Sequence, residues 1–337
     1  MRPLPTDYEA TLARAVDQAP LARQIADETA GQIDNVFLVG CGGSYCAGSV
    51  AHYLLETSCA AISVFHMTSS EFVRRNPARL GSRSLVVTGS HSGSTRETLD
   101  AVKLARSAGA ARVVGLTRSP ESELAAVVDN AFTYQSEKVV WQPKQMMLLQ
   151  LCLALMSHAG SGDVAVEAAF SALAAMPQAL PQAVAQQDDA SHRIAERLQH
   201  HPVNYVLASG PNYGAAYGLA MCYLQEMQWM HAAAFNAGEF FHGAFEMATE
   251  EQPFLVIMGE DATRPECERA IEFLGRWSPH SETIDSRALD LPGIAADQRG
   301  LATPVLLMAL VSRIAAHFED VRGHDLDLRR YMGVVPY

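Results

Sequence analysis

The stretch that decides the fold is NVFLVGCGGSY, residues 35–45. Val36 to Val39 form an unbroken apolar run, which is typical of a strand buried inside a parallel sheet. Helix-forming residues follow the glycine-rich turn, so the stretch predicts a strand, a tight turn and a helix. Short β-branched runs alternate with longer helical stretches along most of the chain, and this pattern predicts an α/β fold with parallel sheets.

The same pattern predicts two domains, as a chain of 337 residues favours. Residues 160–200 are rich in alanine and glutamine, and residues 204–209 begin a second α/β half. The predicted domains are residues 1–160 with an N-terminal helix and residues 201–337 with a C-terminal tail, joined by a helical connector at residues 161–200. In the first half we predict strands at residues 35–40, 61–66, 84–89, 112–117 and 131–135, and helices at residues 8–33, 45–56, 95–108 and 142–158.

The two halves carry an internal repeat. An offset of 168 residues overlays residues 37–48 on residues 205–216 and the dipeptide Thr95-Arg96 on Thr263-Arg264. The shared order of strand, glycine turn and helix favours a duplication over chance. The halves differ at one loop, because residues 90–95 read SHSGST whereas the matching residues read MGEDAT. Hydroxyl groups suit an anion and carboxylates do not, so only the first half is expected to bind one.

Composition and charge exclude several classes of function. The formal net charge is −12, and the sequence has no basic stripe that would bind nucleic acid. The six cysteines show no CxxC pairing and the N-terminus has no apolar signal core, so a reduced, cytoplasmic protein is expected. The longest apolar run, Met146 to Met156, falls short of the ~20 residues that span a bilayer and predicts a buried core helix.

Two glycine and hydroxyl loops of the first half predict an anion site. Ser90, Ser92 and Thr95 lie between a predicted strand and a predicted helix, and Ser44 follows the other glycine turn. Ligands of doubly wound sheets collect at such strand ends, where helix N-termini attract phosphate. Ordinary helix capping is the alternative interpretation. A dinucleotide site is disfavoured because GCGGSYCAG lacks the GxGxxG spacing and no acidic residue ends the next strand.

The segment of residues 225–246 is the best candidate for catalysis. It places Glu226, His231, Glu239, His242 and Glu246 among aromatic and apolar residues, with a helix predicted at residues 213–231 and an extended segment after it. A partly buried glutamate has a raised proton affinity, as a general base needs. Structural hydrogen bonding is the alternative, and we favour it for His231 and Glu246. The spacing matches no compact metal-ligand set.

Three motifs give the chain a recognisable resemblance. CGGSY (41–45), SHSGSTRET (90–98) and EMQWMHAAAFNAGEFFHG (226–243) resemble the sugar isomerase (SIS) domain proteins. The resemblance covers nearly the whole chain as two tandem SIS domains and includes the isomerase domain of glucosamine-6-phosphate synthase. The last motif and the tail RRYM (329–332) are most similar to the fructosamine-6-phosphate deglycases. The resemblance to the SIS domain proteins implies two flavodoxin-like, three-layer αβα domains.

The resemblance also implies roles for particular residues. Glu226 falls on the proton-transferring glutamate. His242 falls on the ring-opening histidine, which the neighbouring subunit of a homodimer supplies near the subunit interface. The role of His91 is open because the synthase has glutamine there, and Glu239 and Tyr331 are further candidates. No cofactor or metal is implied. The residues implied in phosphate binding are Gly43, Ser44, Ser90, His91, Ser92 and Thr95.

One departure from the synthase bears on the reaction. The synthase forms a Schiff base through a lysine near its C-terminus, whereas this chain has no lysine after Lys144. A deglycase needs none, since its substrate carries an amine on C1. The expected reaction converts a fructosamine 6-phosphate to glucose 6-phosphate and free amine. A glucosamine-6-phosphate deaminase or an aldose–ketose isomerase is the nearest alternative, and a non-catalytic sugar-phosphate sensor is a more distant one.

Overall fold

The computed structural model describes residues 3–335, which form two compact units, each built around one parallel sheet. The first unit consists of Leu4–Ala179 and Pro292–Ala302. The second consists of Pro3, Leu180–Leu291 and the described part of Thr303–Tyr337. The domain boundaries and the connector expected from the sequence stay a prediction.

The sheet of the first unit has five parallel strands in the order β2-β1-β3-β4-β5. This is the flavodoxin-like order, so the predicted fold class is confirmed. Gly40 at the end of β1 pairs with Gly89 of β3, which brings the turns after these two strands to the same edge. The strands are β1 (Asn35–Gly40), β2 (Ser63–Thr68), β3 (Ser84–Ser90), β4 (Arg112–Thr117) and β5 (Asn130–Thr133).

Helices cover both faces of this sheet. Phe37 and Val39 of β1 pack with apolar residues of α4, α5 and α6 on one face, and alternation along the strand turns Leu38 toward the other. On that second face α7 packs against α1, α2 and α3, and it is buried from Trp141 to Met156, as expected for a core helix. The helices are α1 (Tyr8–Val16), α2 (Ala19–Thr29), α3 (Gly43–Ser58), α4 (Ser69–Arg75), α5 (Arg96–Ser107), α6 (Glu123–Val127), α7 (Trp141–Ala159) and α8 (Val166–Gln186).

The prediction of a single helix at residues 8–33 is wrong, since a turn at Asp17 and Gln18 separates α1 from α2. Pro20 lies in the first turn of α2. Proline has no backbone N–H to donate to the preceding turn, so it is favoured in the first turn of a helix, where that N–H has no partner within the helix.

The sheet of the second unit has four parallel strands in the order β7-β6-β8-β9. This repeats the first four positions of the other sheet. Phe240, Phe254 and Leu207 form a core with the apolar face of α11. The elements are β6 (Asn204–Ala208), β7 (Ala232–Asn236), β8 (Phe254–Met258), β9 (Glu282–Asp285), α9 (Asp188–Leu198), α10 (Tyr213–Tyr217), α11 (Arg264–Trp277) and α12 (Arg299–Arg322).

The internal repeat is confirmed by these elements. The offset that maps Arg96 on Arg264 maps the first residue of α5 on the first residue of α11. Gly42 after β1 has φ of 48°, and the corresponding Gly210 after β6 has φ of 52°. Both turns therefore use a positive φ, which glycine adopts without steric penalty.

The helix predicted at residues 213–231 differs from the observed one. After α10 the chain widens into a π-helical segment, Gly218–Met227, in which the Gln228 N–H donates to the Tyr223 carbonyl at 2.9 Å. Such i to i−5 bonding turns each side chain to a direction that a regular α-helix would not give. Glu226 lies in the last turn of this segment.

One helix, Ala296–Arg322, is long and apolar enough to cross a membrane by length and composition alone. Its apolar window is 83% buried inside the protein. It is therefore a core helix of the folded chain.

Candidate active site

The loop from Ser90 to Thr95 is held together by its own hydroxyl groups. Ser90 Oγ lies 2.8 Å from Thr95 Oγ1 and 3.3 Å from Ser92 Oγ, and it accepts the Gly93 N–H at 3.0 Å. These bonds bring three hydroxyl groups together at the carboxyl end of β3. Hydroxyls offer donors to an anion without carrying a charge that must be desolvated.

Ordinary capping does not account for these hydroxyls. Thr95 occupies the N-cap of α5, yet within the described residues its side chain makes no capping hydrogen bond. Gly42, the N-cap of α3, has no side chain that could cap the helix, and the Ser44 hydroxyl in the first turn accepts from Lys144. The helix N-termini therefore keep N–H groups that an anion can accept from.

Ser44 and the loop after β3 lie next to each other. A Cβ atom on Gly89 would come within 3.2 Å of both Ser44 Cβ and Ser44 Oγ. An added Cβ would crowd Ser44, so the turn after β1 and the loop after β3 lie close together at one edge of the sheet. The structure thus brings together Ser44, Ser90, Ser92 and Thr95 in one region of the first unit.

Lys144 belongs to this region and was missed by the sequence-based reasoning. Its side chain, on α7, is buried with only 3% of its surface exposed, and Nζ donates to Ser44 Oγ at 3.1 Å. A buried ammonium group is costly unless it is paired or used. The signal in the sequence was the charge itself, since Lys144 is the only acidic or basic residue among the buried residues 141–156.

His91 and Gly43 border the same region. His91 Nδ1 lies 2.6 Å from the Tyr134 hydroxyl, and its Nε2 lies 3.5 Å from Glu137. Burial, helped by the positive charges of Lys144 and Arg118, lowers the pKa of His91 to about 4, so the ring is neutral at pH 7. Gly43 lies against a tryptophan ring, where a Cβ would meet it at 3.2 Å.

Glu226 is the partly buried carboxyl group that the sequence predicted. Its side chain is 24% exposed, and Oε1 lies 3.1 Å from Arg329 Nη2. Burial raises the pKa of Glu226 above its usual range, and Arg329 opposes part of that rise. Burial and Arg329 thus set the pKa of the carboxyl group that the family resemblance implies in proton transfer. A carboxyl group with a moderately raised pKa can both take up and return a proton.

A cavity of about 630 Å³ opens beside Glu226. It is large enough for a small organic group. Its walls come from the end of the π-helical segment and from the C-terminal tail: Gln225, Glu226, Trp229, Met230, His231, Arg329, Arg330, Tyr331 and Met332.

The other candidates of the second unit are exposed. His242 ends a short 3₁₀ helix, Phe240–His242, and Glu239 is the N-cap of that helix. No hydrogen bond joins His242 to Glu226 among residues 3–335. Tyr331 is 68% exposed and lines the cavity beside Glu226. His231 and Glu246 are exposed as well. Within the described chain, no group of three or more histidine, cysteine, aspartate or glutamate residues could hold a metal ion.

Parallel sheets in the flavodoxin-like order, hydroxyl loops suited to phosphate and a partly buried carboxyl group with a raised pKa are the features of a phosphosugar enzyme. A model of the SIS domain matches residues 32–157. The chain is 34% identical to fructosamine deglycase FrlB of Bacillus subtilis over 307 residues, which cover 90% of this chain and 93% of that protein. The chain belongs to the SIS domain family.

Two further comparisons agree with that family. Fructoselysine 6-phosphate deglycase of Escherichia coli (strain K12) is 26% identical, with 93% of this chain and 90% of that protein covered. A solved structure from Bacillus subtilis, of a protein assigned as a phosphosugar isomerase, superposes with a TM-score of 0.89 at 32% identity. It covers 99% of this chain and 100% of that one. The sequence-based resemblance is confirmed.

Proposed function

We propose that this protein is a deglycase that converts a fructosamine 6-phosphate to glucose 6-phosphate and free amine. The observation that carries the proposal is Glu226, a largely buried carboxyl group with a raised pKa on the wall of an open cavity. The deglycase names of the similar proteins from Bacillus subtilis and Escherichia coli support the same reaction.

The reaction moves a proton from C1 to C2 and then adds water. Glu226 takes a proton from C1 of the open-chain ketosamine while the C2 oxygen gains a proton from solvent, which gives an enaminol with the double bond between C1 and C2. The same carboxyl group returns the proton to C2, and the amine nitrogen loses its proton to solvent and becomes an imine on C1. Water adds to C1, the C–N bond breaks, and the aldose phosphate and the amine leave. Acid–base help of this kind contributes about 10²–10⁴-fold per group.

The hydroxyl loops of the first unit are the proposed phosphate site. Ser44, Ser90, Ser92 and Thr95 would donate to the phosphate, and Lys144 would balance its charge from beneath Ser44. Gly43 allows the close backbone approach, and neutral His91 is an uncharged neighbour of the site. A phosphate held by positioned donors ties the substrate down, so that binding energy is available for the proton transfer.

His242 is the proposed ring-opening group. Its exposure fits a residue that serves the active site of a second subunit, as the family resemblance implies, and we therefore propose a homodimer. We also propose a cytoplasmic location and hydrolytic chemistry without a cofactor. The net charge of −12 disfavours binding to nucleic acid or to an anionic membrane surface, because both carry negative charge.

The decisive test replaces the base without changing its shape. Glu226→Gln should lower kcat on fructosylglycine 6-phosphate by at least about 10³-fold, because an amide cannot accept the C1 proton. The affinity for fructose 6-phosphate, measured by calorimetry, should change less than about 3-fold. Glu246→Gln, an exposed glutamate of the same segment, is the matched control. Turnover that survives in Glu226→Gln would exclude the proposed mechanism.

The alternatives act on substrates that carry no amino acid on C1. A glucosamine-6-phosphate deaminase would release ammonia and an aldose–ketose isomerase would release nothing, and neither needs the cavity beside Glu226. Release of ammonia from glucosamine 6-phosphate at a higher kcat/KM than release of glycine from fructosylglycine 6-phosphate would favour the deaminase. The sensor interpretation is set aside, because the similar proteins from Bacillus subtilis and Escherichia coli, which match at least 90% of this chain, are named as enzymes.

A further inference from the structure

The C-terminal tail is fastened to the segment that carries Glu226. Arg322 Nη1 donates to the Gln228 carbonyl at 2.6 Å, and Gln228 Nε2 donates to the His324 carbonyl at 2.7 Å. The Arg330 guanidinium lies 4.2 Å from the centre of the Trp229 ring, a cation–π contact. These contacts fix the tail beside the proposed base.

Arg329 is the residue of this tail that reaches the base. Its Nη1 donates to the carbonyls of Leu326 and Leu328, at 2.6 Å and 2.9 Å, so the guanidinium is held by its own chain. Nη2 donates to Glu226 at 3.1 Å. Nε is buried and has no hydrogen-bond partner among the described residues.

One edge of the Arg329 guanidinium, formed by Nε and Nη2, has a hydrogen-bond partner at only one of its two donors. Nε and Nη2 form the side of arginine that binds a carboxylate through two parallel hydrogen bonds. Glu226 takes only one of those two donors. A buried donor without an acceptor is destabilising, so an incoming carboxylate that reached it would relieve a penalty as well as gain a charged contact.

The position of this edge matches a particular part of the substrate. A base that takes the C1 proton lies within about 3 Å of C1. In an amino acid joined through its α-amine, the carboxylate carbon is three bonds from C1, a span of about 4 Å. The charged residues that line the cavity are Glu226, Arg329 and Arg330, a formal sum of +1 in a chain whose net charge is −12.

We propose, on the basis of the function proposed above, that Arg329 determines specificity by binding the carboxylate of an α-amino acid attached to C1. The carboxylate accepts from Nε and from Nη2, sharing the latter with Glu226. Substrates whose C1 amine carries no nearby carboxylate leave Nε without a partner and bind less well.

The test uses two substrates that differ only in that charge, fructosylglycine 6-phosphate and fructosylglycinamide 6-phosphate. The wild-type kcat/KM should favour the carboxylate by about 30-fold, the factor that corresponds to a charged hydrogen bond. Arg329→Gln should reduce this preference to less than about 3-fold, and Arg329→Lys should restore part of it, since lysine keeps the charge and loses the fork. Arg276→Gln, an exposed arginine of α11, is the control and should keep the full preference.

Each outcome separates this proposal from the proposed function. If neither substrate turns over in the wild type, the deglycase function is wrong. If both turn over with equal kcat/KM, or if Arg329→Gln lowers both values by the same factor, the deglycase function stands and Arg329 does not read the carboxylate. Removing Arg329 should also raise the pKa of Glu226 further, so the acid limb of the pH profile should move to higher pH.

Discussion

Gly42 after β1 and Gly210 after β6 adopt nearly the same φ, 48° and 52°, yet the turns that they open differ in what surrounds them. After β1, the Ser44 hydroxyl accepts from Lys144, and the loop after β3 carries more hydroxyls. After β6, Asn212 stands in the position of Ser44, and its Nδ2 donates to Asp261 at 2.6 Å.

Asp261 accepts the hydrogen bonds of the second turn, so this turn needs no bound anion. Its Oδ1 also accepts the Thr263 N–H at 2.9 Å, at the N-terminus of α11, and it accepts the Thr263 hydroxyl. The carboxylate thus takes the place at a helix N-terminus that an anion would take in the first unit. The first unit therefore keeps an anion site for a ligand, whereas in the second unit the Asp261 carboxylate occupies the corresponding position.

The largest effect should follow from removing that internal charge. Asp261→Ala takes the acceptor from Asn212 and Thr263, and should destabilise the second unit by about 3 kcal/mol. This corresponds to a fall of roughly 6–12 °C in its apparent melting temperature. Differential scanning calorimetry measures it, with the exposed Asp290→Ala as the control.

A second measurement shows whether the vacated position is an anion site. Phosphate at tens of millimolar should recover part of the stability lost in Asp261→Ala. The comparison is made in a Lys144→Met background, so that phosphate bound in the first unit contributes little. A melting temperature that does not respond to Asp261→Ala would show that this carboxylate does not hold the turn.

The first unit should respond in affinity. Lys144→Met removes the ammonium group beneath Ser44, and fructose 6-phosphate should bind about 30-fold more weakly by calorimetry. Lys103→Met, an exposed lysine paired with Asp100, should leave the affinity unchanged. Ser44→Ala keeps the lysine and should weaken binding less. Equal affinity in Lys144→Met and the wild type would place the anion elsewhere.

The sequence predicted the strands of the first sheet well where local pattern decides the outcome. β1 and β4 begin and end at the predicted residues, because each is an apolar run closed by a change to glycine or polar residues. The strand predicted at residues 61–66 lies instead at Ser63–Thr68, since β2 is only partly buried and its pattern is weaker.

The features that the sequence did not reveal depend on distant contacts. Lys144 meets Ser44 across 100 residues of chain, and Arg329 reaches Glu226 across about as many. The π-helical turn at Glu226 also escaped prediction, because an apolar run of this length has the same pattern in an α-helix and in a π-helix. The candidate residues were therefore predictable by type, whereas the partners that tune them were not.

The smallest expected effect is a difference in unfolding free energy between alanine substitutions at Gly42 and at Gly210. At Gly42 an added Cβ would meet nothing within 4 Å, whereas at Gly210 it would lie 2.4 Å from Thr263 Oγ1 and 2.7 Å from Asp261 Oδ1. Gly42→Ala and Gly210→Ala share the strain of a positive φ, about 1–3 kcal/mol, and only the second adds a clash. Gly210→Ala should therefore cost about 1–2 kcal/mol more in urea-induced unfolding of its unit. Equal costs would mean that Asp261 and Thr263 can move aside, and that the second turn is as open as the first.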